Sequence, residues 1–562
     1  MESAVFQKIL NEVGSCGRWQ KTVFLWTTLG VTLTAFHNLS SVFLVATPDF
    51  HCKPPHDVTM PPGNSSLSAW IPRDNSSGRW SQCEQFLSVQ DHSQLVPCDS
   101  WHFLPDNPHT WTVVMQWRLV CGRRWLAAIV QSSYMLGSMF GALADGLLSD
   151  HFGRKWTACV SALVLAASSL AAAASSASFV LFVAMRFVSA MAQAGVFGSM
   201  FVLCLEIVGG RWRALVGLGY ELPFAVGFML LASIAYWVRH WQLLQLAISA
   251  PSLLLLVYCY VLPESPRWLA LKGRSEDAMA VLQKAAKVNG RSLSDSSTLQ
   301  SMLDDFCATE QTPGVTIKRC GEGARLGVVK MCCSAFVSVH QLLTTPRMRL
   351  ISLASFTNWL VVALVYYGVT FDAAELSSSR HLAIFLSGLV EIPAYLLAIA
   401  AANHLGRRLS VILSHGVTAA AILLILAVPD SHGWLRLALG LVGKFAATAC
   451  FGILYLYAAE YFPTTVRTIG VGASSMCARI GSMFAPVIVQ IFGNIHWAIP
   501  SAVFGSSACV AALVALALPE TNQQPMPDTV QEVEDGHWQK TLVASTPPTP
   551  TASDKDDCTT PL

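Results

Sequence analysis

The chain has 562 residues, of which 53% are hydrophobic and 12% charged, against roughly 25% charged for an average soluble protein. So apolar a surface faces lipid rather than water. The net charge of +2 comes without a basic patch, which excludes nucleic acid as a partner. No cluster has metal-ligand spacing, and no Ser/His/Asp or Cys/His arrangement stands in a soluble domain, so neither an enzyme nor a bound metal or cofactor is expected.

Residues 1–21 form a short amino-terminal segment. From Lys21 to Asp49 no Asp, Glu, Lys or Arg intervenes, and at about 20 residues per span this run crosses a hydrocarbon core as a helix. Charged sequence precedes it and no small-residue cleavage site follows, which points to a retained span rather than a leader. Apolar runs place six helices near 22–46, 125–148, 156–175, 178–207, 213–237 and 241–262, and six more near 349–371, 381–402, 409–428, 433–457, 466–492 and 497–518. The expected architecture is an all-α membrane protein of two six-helix halves, 22–262 and 349–518. A polar loop at 263–348 with amphipathic pieces such as "RSEDAMAVLQKAAK" joins them, and a polar, disordered tail covers 519–562.

Lys and Arg in short loops favour the cytoplasm. Arg154, Lys155, Arg211, Arg213, Arg407, Arg408 and Arg467 fall on one side with the central loop, whereas Arg123, Arg124, Arg239 and Arg380 fall on the other. Both termini are then cytoplasmic and the loop 48–124 is extracellular. That loop holds Cys52, Cys83, Cys98 and Cys121, enough for two disulfides with three possible pairings. It also holds two glycan sequons, at Asn64 and Asn75. The carboxyl-terminal Thr560-Pro561-Leu562 fits the pattern that adds as a strand to a PDZ domain.

The two halves repeat a set of charges. "SDHFGRK", with Asp150 and Arg154, matches "ANHLGRR", with Asn403 and Arg407. Glu206 precedes Arg213 by seven residues, as Glu460 precedes Arg467. "LPESPR", with Glu264 and Arg267, matches "LPET", with Glu520. The Arg154, Glu206 and Glu264 landmarks recur at offsets of 253, 254 and 256 residues. Such a repeat is the mark of a duplicated transporter. Pairs at these helix ends are expected to gate, holding the halves together when closed and hydrating when open. On that basis Arg154→Ala reaches the surface and loses most transport.

Ionisable side chains inside spans cost roughly 2.5–3.5 kcal/mol on insertion scales, so each needs a partner or a purpose. Arg479 suits bidentate grip of a substrate carboxylate, or else pairs with an acid such as Glu391. Glu391, two residues before Pro393, attracts a cationic group or neutralises Arg479 or Lys444. Arg186 and Lys444 read as structural. Phe197, Tyr366, Tyr367, Tyr395 and Tyr455 are candidates to hold an ammonium group on ring faces.

"GLLSDHFGRK" and "PESPRWL" resemble the helix 2–3 and helix 6 signatures of the major facilitator superfamily. "LSSVFLVATPDFHC", "VEIPAYLL", "YAAEYFPTTVRTIGVG" and "ARIGS" resemble the organic ion transporters of solute carrier family 22, with phrasing most similar to the organic cation and carnitine branch. The resemblance runs from about residue 5 to 522. It implies the superfamily's twelve-helix fold in two pseudo-symmetric halves, at the plasma membrane. It also implies carriage of small organic cations, zwitterions such as carnitine, or anions by alternating access without ATP hydrolysis. A coupling ion, sodium or proton, stays open. The anion and carnitine branches carry Arg in the element that here holds Arg479, where the cation branch has an acid. Two departures stand out. Val196-Phe197 replaces the Asn-Tyr pair of the carnitine-type carriers, and "CLEIVGGR" lacks their phosphate-loop-like Gly and Lys-Ser. The competing readings are an organic anion exchanger and a non-transporting sensor that keeps the fold.

Overall fold

The computed structural model describes residues 4–53, 71–73, 80–87, 94–105, 107–291, 298–303, 306, 342–376, 379–463, 466–522, 524, 526–527 and 529–535. Asn64, Asn75 and the terminal Thr560-Pro561-Leu562 lie outside them.

Among the described residues twelve helices make up two sets of six. The first set is α1 (Arg18–Leu39), α2 (Trp125–Phe152), α3 (Arg154–Ala174), α4 (Phe179–Glu206), α5 (Leu222–Trp237) and α6 (Trp241–Ser249), the last running on through a 3-10 stretch, Ala250–Val257. The second set is α7 (Pro346–Leu376), α8 (Arg380–Leu405), α9 (Arg407–Ile425), α10 (Gly433–Tyr461), α11 (Arg467–Val487) and α12 (Ala498–Ala515). Among the described residues, eleven stretches are long and apolar enough to cross a membrane. α1 is less apolar, and its Thr27, Thr34, His37 and Asn38 are turned inward and buried rather than set against lipid.

Between α1 and α2 sits a small disulfide-bonded subdomain. β1 (Asp49–Cys52) pairs antiparallel with β4 (Trp101–Leu104), and β2 (Glu84–Phe86) with β3 (Leu95–Pro97). Of the three open pairings the structure has Cys52–Cys98 and Cys83–Cys121. The subdomain docks on the α5–α6 corner, where Trp241 N–H donates to the Trp111 carbonyl at 2.8 Å and Trp111 N–H to that of Arg239 at 3.2 Å. This is the disulfide end of the molecule.

At the opposite end the chain turns at Gly153 and Gly406, with φ of +101° and +86°. Only glycine takes that conformation without strain. A Cβ there would also fall 2.3 Å from Glu264 Oε2 and 2.7 Å from Glu520 Oε2. The space is used alike in both halves. Glu264 accepts the N–H groups of Arg154 at 2.8 Å and Lys155 at 3.2 Å, and Glu520 those of Arg407 at 2.9 Å and Arg408 at 3.1 Å. Each carboxylate thereby caps a helix whose first N–H groups have no intrahelical partner.

Each capped arginine then reaches the end of another helix. Arg154 bonds Glu206 at 3.1 Å and Asp150 at 3.0 Å, and Arg407 bonds Glu460 at 3.1 Å. Asn403 cannot repeat the Asp150 contact, and Asn522 Oδ1 takes its place on Arg407 at 2.5 Å. Glu206 and Glu460 meet Arg154 and Arg407 rather than the arginines seven residues on. Arg213 and Arg467 instead bond the carbonyls of Leu205 and Phe462, both at 3.1 Å. The Arg154 and Arg407 pairs also stay within one half, so they brace each six-helix set instead of joining the two. Arg267, the remaining arginine of the repeat, follows Pro266 in the short helix Pro266–Leu271.

Contact between the halves is made by α2 against α11 and by α5 against α8. Ser132 Oγ of α2 donates to the Met483 carbonyl of α11 at 2.9 Å. Nearer the disulfide end, Arg380 Nη1 reaches the Val42 carbonyl at 3.3 Å, and the His381 ring lies 5.2 Å from Phe43 and 5.7 Å from Tyr236. The halves therefore meet along the disulfide end and in mid-span.

The segment after α6 supports the first half from outside the bundle. Helix Ser275–Asn289 buries Ala278, Leu282, Ala285 and Ala286, one face at helical spacing. Asn289 at its end accepts from Trp19 N–H at 2.9 Å and donates to the Val13 carbonyl at 2.9 Å, holding the start of α1.

Candidate substrate cavity

A cavity of about 80 Å³ lies between the halves, lined from α1 by Asn38, from α4 by Gln193 and Phe197, from α7 by Tyr366 and Tyr367, and from α11 by Ser475 and Arg479. At roughly 10–15 Å³ per water this is space for a handful of water-sized groups. It brings together six of the seven side chains that the sequence singled out: Phe197, Tyr366, Tyr367, Tyr395, Tyr455 and Arg479.

Glu391 is the seventh, and it lies one layer behind the wall. Its Oε1 bonds Lys444 Nζ at 2.9 Å and accepts the Tyr366 hydroxyl at 2.5 Å, with the carboxylate 0% and the lysine 1% exposed. Lys444 also donates to Thr370 Oγ1 at 2.8 Å and stands 3.0 Å from the Tyr366 ring centroid. A buried pair of this kind holds together because each charge has its countercharge and further hydrogen bonds. Tyr366 thus has its ring in the cavity wall and its hydroxyl on the buried pair.

The pairing settles what Arg479 does not do. It is half-buried, and Nη1 donates to Ser138 Oγ of α2 at 3.1 Å, across the interface between the halves. Glu391 is taken by Lys444, so the alternative in which it neutralises Arg479 falls. Arg186, by contrast, is fully buried against Ser40 Oγ at 2.7 Å and the Tyr134 ring at 4.5 Å, outside the cavity lining.

Among the lining residues that escaped the sequence reading are Glu221 and Gln193. Glu221 sits where the expected helix 213–237 is broken into Gly210–Gly219 and α5. Pro223 at the second position of α5 has no N–H to give, so the chain turns before it. That break presents Glu221 to the cavity. The legible signal was Glu221-Leu222-Pro223, an acid two residues before proline in an apolar run, as in Glu391-Ile392-Pro393. Gln193 lies one turn before Val196 on α4. Val196 itself is core, 1% exposed, whereas Gln193 is in the cavity lining and its Oε1 has no protein partner among the described residues.

The aromatic wall has a group of touching rings from each half. The Tyr366 and Tyr367 rings are 5.1 Å apart, Tyr366 and Phe451 5.9 Å, and Phe451 and Tyr455 5.5 Å. Phe197 meets Tyr220 edge-on at 5.2 Å and Phe224 at 6.3 Å. Chemically the described lining offers one guanidinium, one carboxyl group, two side-chain amides, hydroxyl groups and ring faces.

Residues 81–531 match the family described as sugar (and other) transporter. The chain is 32% identical over 539 residues to the organic cation transporter protein of Drosophila melanogaster, covering 94% of each. It is 31% identical over 549 residues to solute carrier family 22 member 6 of Danio rerio, again 94% of each. With organic anion transporter 3 of Oryctolagus cuniculus it shares 30% over 565 residues, 98% of this chain and 97% of that one. Among solved structures it resembles the inward open conformation of the xylose transporter XylE from E. coli, with a TM-score of 0.59 and 15% identity over 92% of this chain and 99% of that one. The last likeness is one of fold alone.

Proposed function

Since the chain belongs to the sugar (and other) transporter family, among the solute carrier family 22 organic ion transporters, and is a multi-pass membrane transporter rather than an enzyme, we propose that it carries a small zwitterion. The substrate has a carboxylate and an ammonium group, as carnitine does. One observation carries this reading: Arg479 and Glu221 line the same aromatic-walled cavity between the halves. Arg479 takes the carboxylate in a charge-assisted bond. The rings of Tyr366, Tyr367, Tyr395, Tyr455 and Phe197 face the ammonium, each worth about 0.5–2 kcal/mol, with Glu221 as its countercharge.

Transport proceeds by alternating access. The two braced halves rock about the cavity, and contacts such as Ser132 to Met483 and His381 to Phe43 close its disulfide end. The Lys/Arg bias of the loops and the two disulfides, which persist in oxidising compartments, support placing that end outside the plasma membrane with both termini in the cytoplasm. The arginine networks at the opposite end serve gating by keeping each half rigid.

The test is uptake of labelled zwitterions, cations and carboxylates into expressing cells, with and without sodium, by the wild type, R479A and E221Q. Zwitterion uptake falls at least tenfold in both variants while both reach the surface. A second reading, an organic anion carrier, follows from Arg479 if Glu221 is protonated in the cavity. It prevails if only carboxylates accumulate and E221Q leaves their uptake intact. If nothing accumulates although the protein is at the surface, the sensor reading stands.

A further inference from the structure

A second and larger cavity, of about 340 Å³, opens at the disulfide end between the halves. The first half contributes Phe43, Tyr236 and Arg239 to its wall, and the second Arg380 and His381. Among the described residues its lining includes no Asp or Glu. Two of the four arginines that run against the charge bias of the loops, Arg239 and Arg380, meet here, and the carrier site makes use of neither.

Arg239 is held in place yet not consumed. Its Nε donates to the Tyr236 carbonyl at 3.1 Å, and its guanidinium lies 5.1 Å from the Tyr236 ring centroid. Its other nitrogens have no protein acceptor among the described residues. The start of α8 faces the same space with Ser379 and Arg380, so the positive end of a 26-residue helix adds to the field. Flat apolar surface is present beside the charge, because His381 stacks on Phe43 with 22° between their planes.

We propose that this cavity binds a small organic anion, an aromatic carboxylate, on Arg239, and that the bound anion holds the halves closed at the disulfide end. The carboxylate meets the guanidinium and the ring packs beside Tyr236 and Phe43. Because the walls come from both halves, the site exists only while they are together. A ligand with affinity for one state alone shifts the population towards it. The anion is therefore a brake on the carrier, acting from the disulfide end and separate from the transported substrate.

The experiment is calorimetric titration of the purified full-length protein with benzoate. It compares R479A, which removes the carboxylate grip of the central cavity, with R479A carrying R239Q or R239K in addition. Benzoate binds R479A, about tenfold or more weakly once R239Q is added, and nearly normally with R239K, as expected for loss of one charge-assisted bond. Binding lost already in R479A, or unchanged by R239Q, overturns the site. Failure of the zwitterion reading looks different, because it appears as unaltered uptake in R479A whatever R239Q does. For the closing action, saturating benzoate raises the rate of oxidative cross-linking between S132C and M483C. An unchanged rate overturns that part.

Discussion

Glu391 has two partners, and both are measurable. Its ion pair with Lys444 is entirely buried, and removing one member of such a pair costs about 3–5 kcal/mol because the other charge is stranded. Lys444→Met should therefore lower the thermal midpoint of the purified protein sharply, and adding Glu391→Gln should recover much of the loss. Equal destabilisation in the single and double variants would count against the pairing. Tyr366→Phe keeps the ring in the cavity wall and removes only the hydroxyl on Glu391. A hydrogen bond to a charged group is worth about 1.5–3 kcal/mol, so stability drops by that order while substrate affinity changes little. From the sequence, Glu391, Lys444 and Arg479 were three charges in apolar runs with several possible pairings. Choosing among them takes the lateral distances between α7, α8, α10 and α11, which no periodicity along one helix contains.

The repeated charges act at the scale of elements. Arg154, with its side chain 11% exposed, and Glu206, 12% exposed, join α3 to the end of α4, while Glu264 from beyond α6 caps α3. Arg154→Ala therefore costs about 3–5 kcal/mol of stability in its own half and lowers surface abundance. Normal abundance with lost uptake would restore the view that the pair joins the halves. Gly153→Ala and Gly406→Ala should each disturb the same end, because the added Cβ meets the capping carboxylate.

A further element contact is expected to depend on pH. The short helix Val530–Asp535 rests on the start of α7, where Glu534 Oε1 accepts the N–H groups of Arg347 at 2.8 Å and Met348 at 3.0 Å. Partial burial works to raise the Glu534 carboxyl, but the Thr345 hydroxyl, those N–H groups and the Arg347 charge together outweigh it and hold it below its ordinary 4.5. A depressed carboxylate stabilises docking at pH values above its free pKa, and the contribution is lost as pH falls through the bound one. Protease cleavage after α12 should thus quicken below about pH 4.5, and in E534Q it should be fast at neutral pH too. A cleavage rate that ignores both would show that Glu534 does not hold the tail.

At the scale of the molecule, the closed disulfide end is the consequential feature. α2 and α11 approach closely enough for Ser132 to reach the Met483 carbonyl. Oxidative cross-linking of S132C to M483C should lock that end and stop uptake, with recovery on reduction. Uptake that continues in the cross-linked protein would mean that the halves need not part there.

The amino-acid sequence by itself determined the class of the molecule. Uncharged runs of spanning length, the repeat of Asp150-Arg154, Glu206 and Glu264 at Asn403-Arg407, Glu460 and Glu520, and four cysteines in one loop are properties of order along the chain. They were legible for that reason, and so was the family that the same motifs resemble. Which cysteine meets which, which acid Arg154 and Lys444 take, and how Glu221 enters the cavity at a break made by Pro223 were decided only by tertiary structure. Pairing depends on distance across helices, and the cost of an unpaired charge in an apolar interior selects one partner from several.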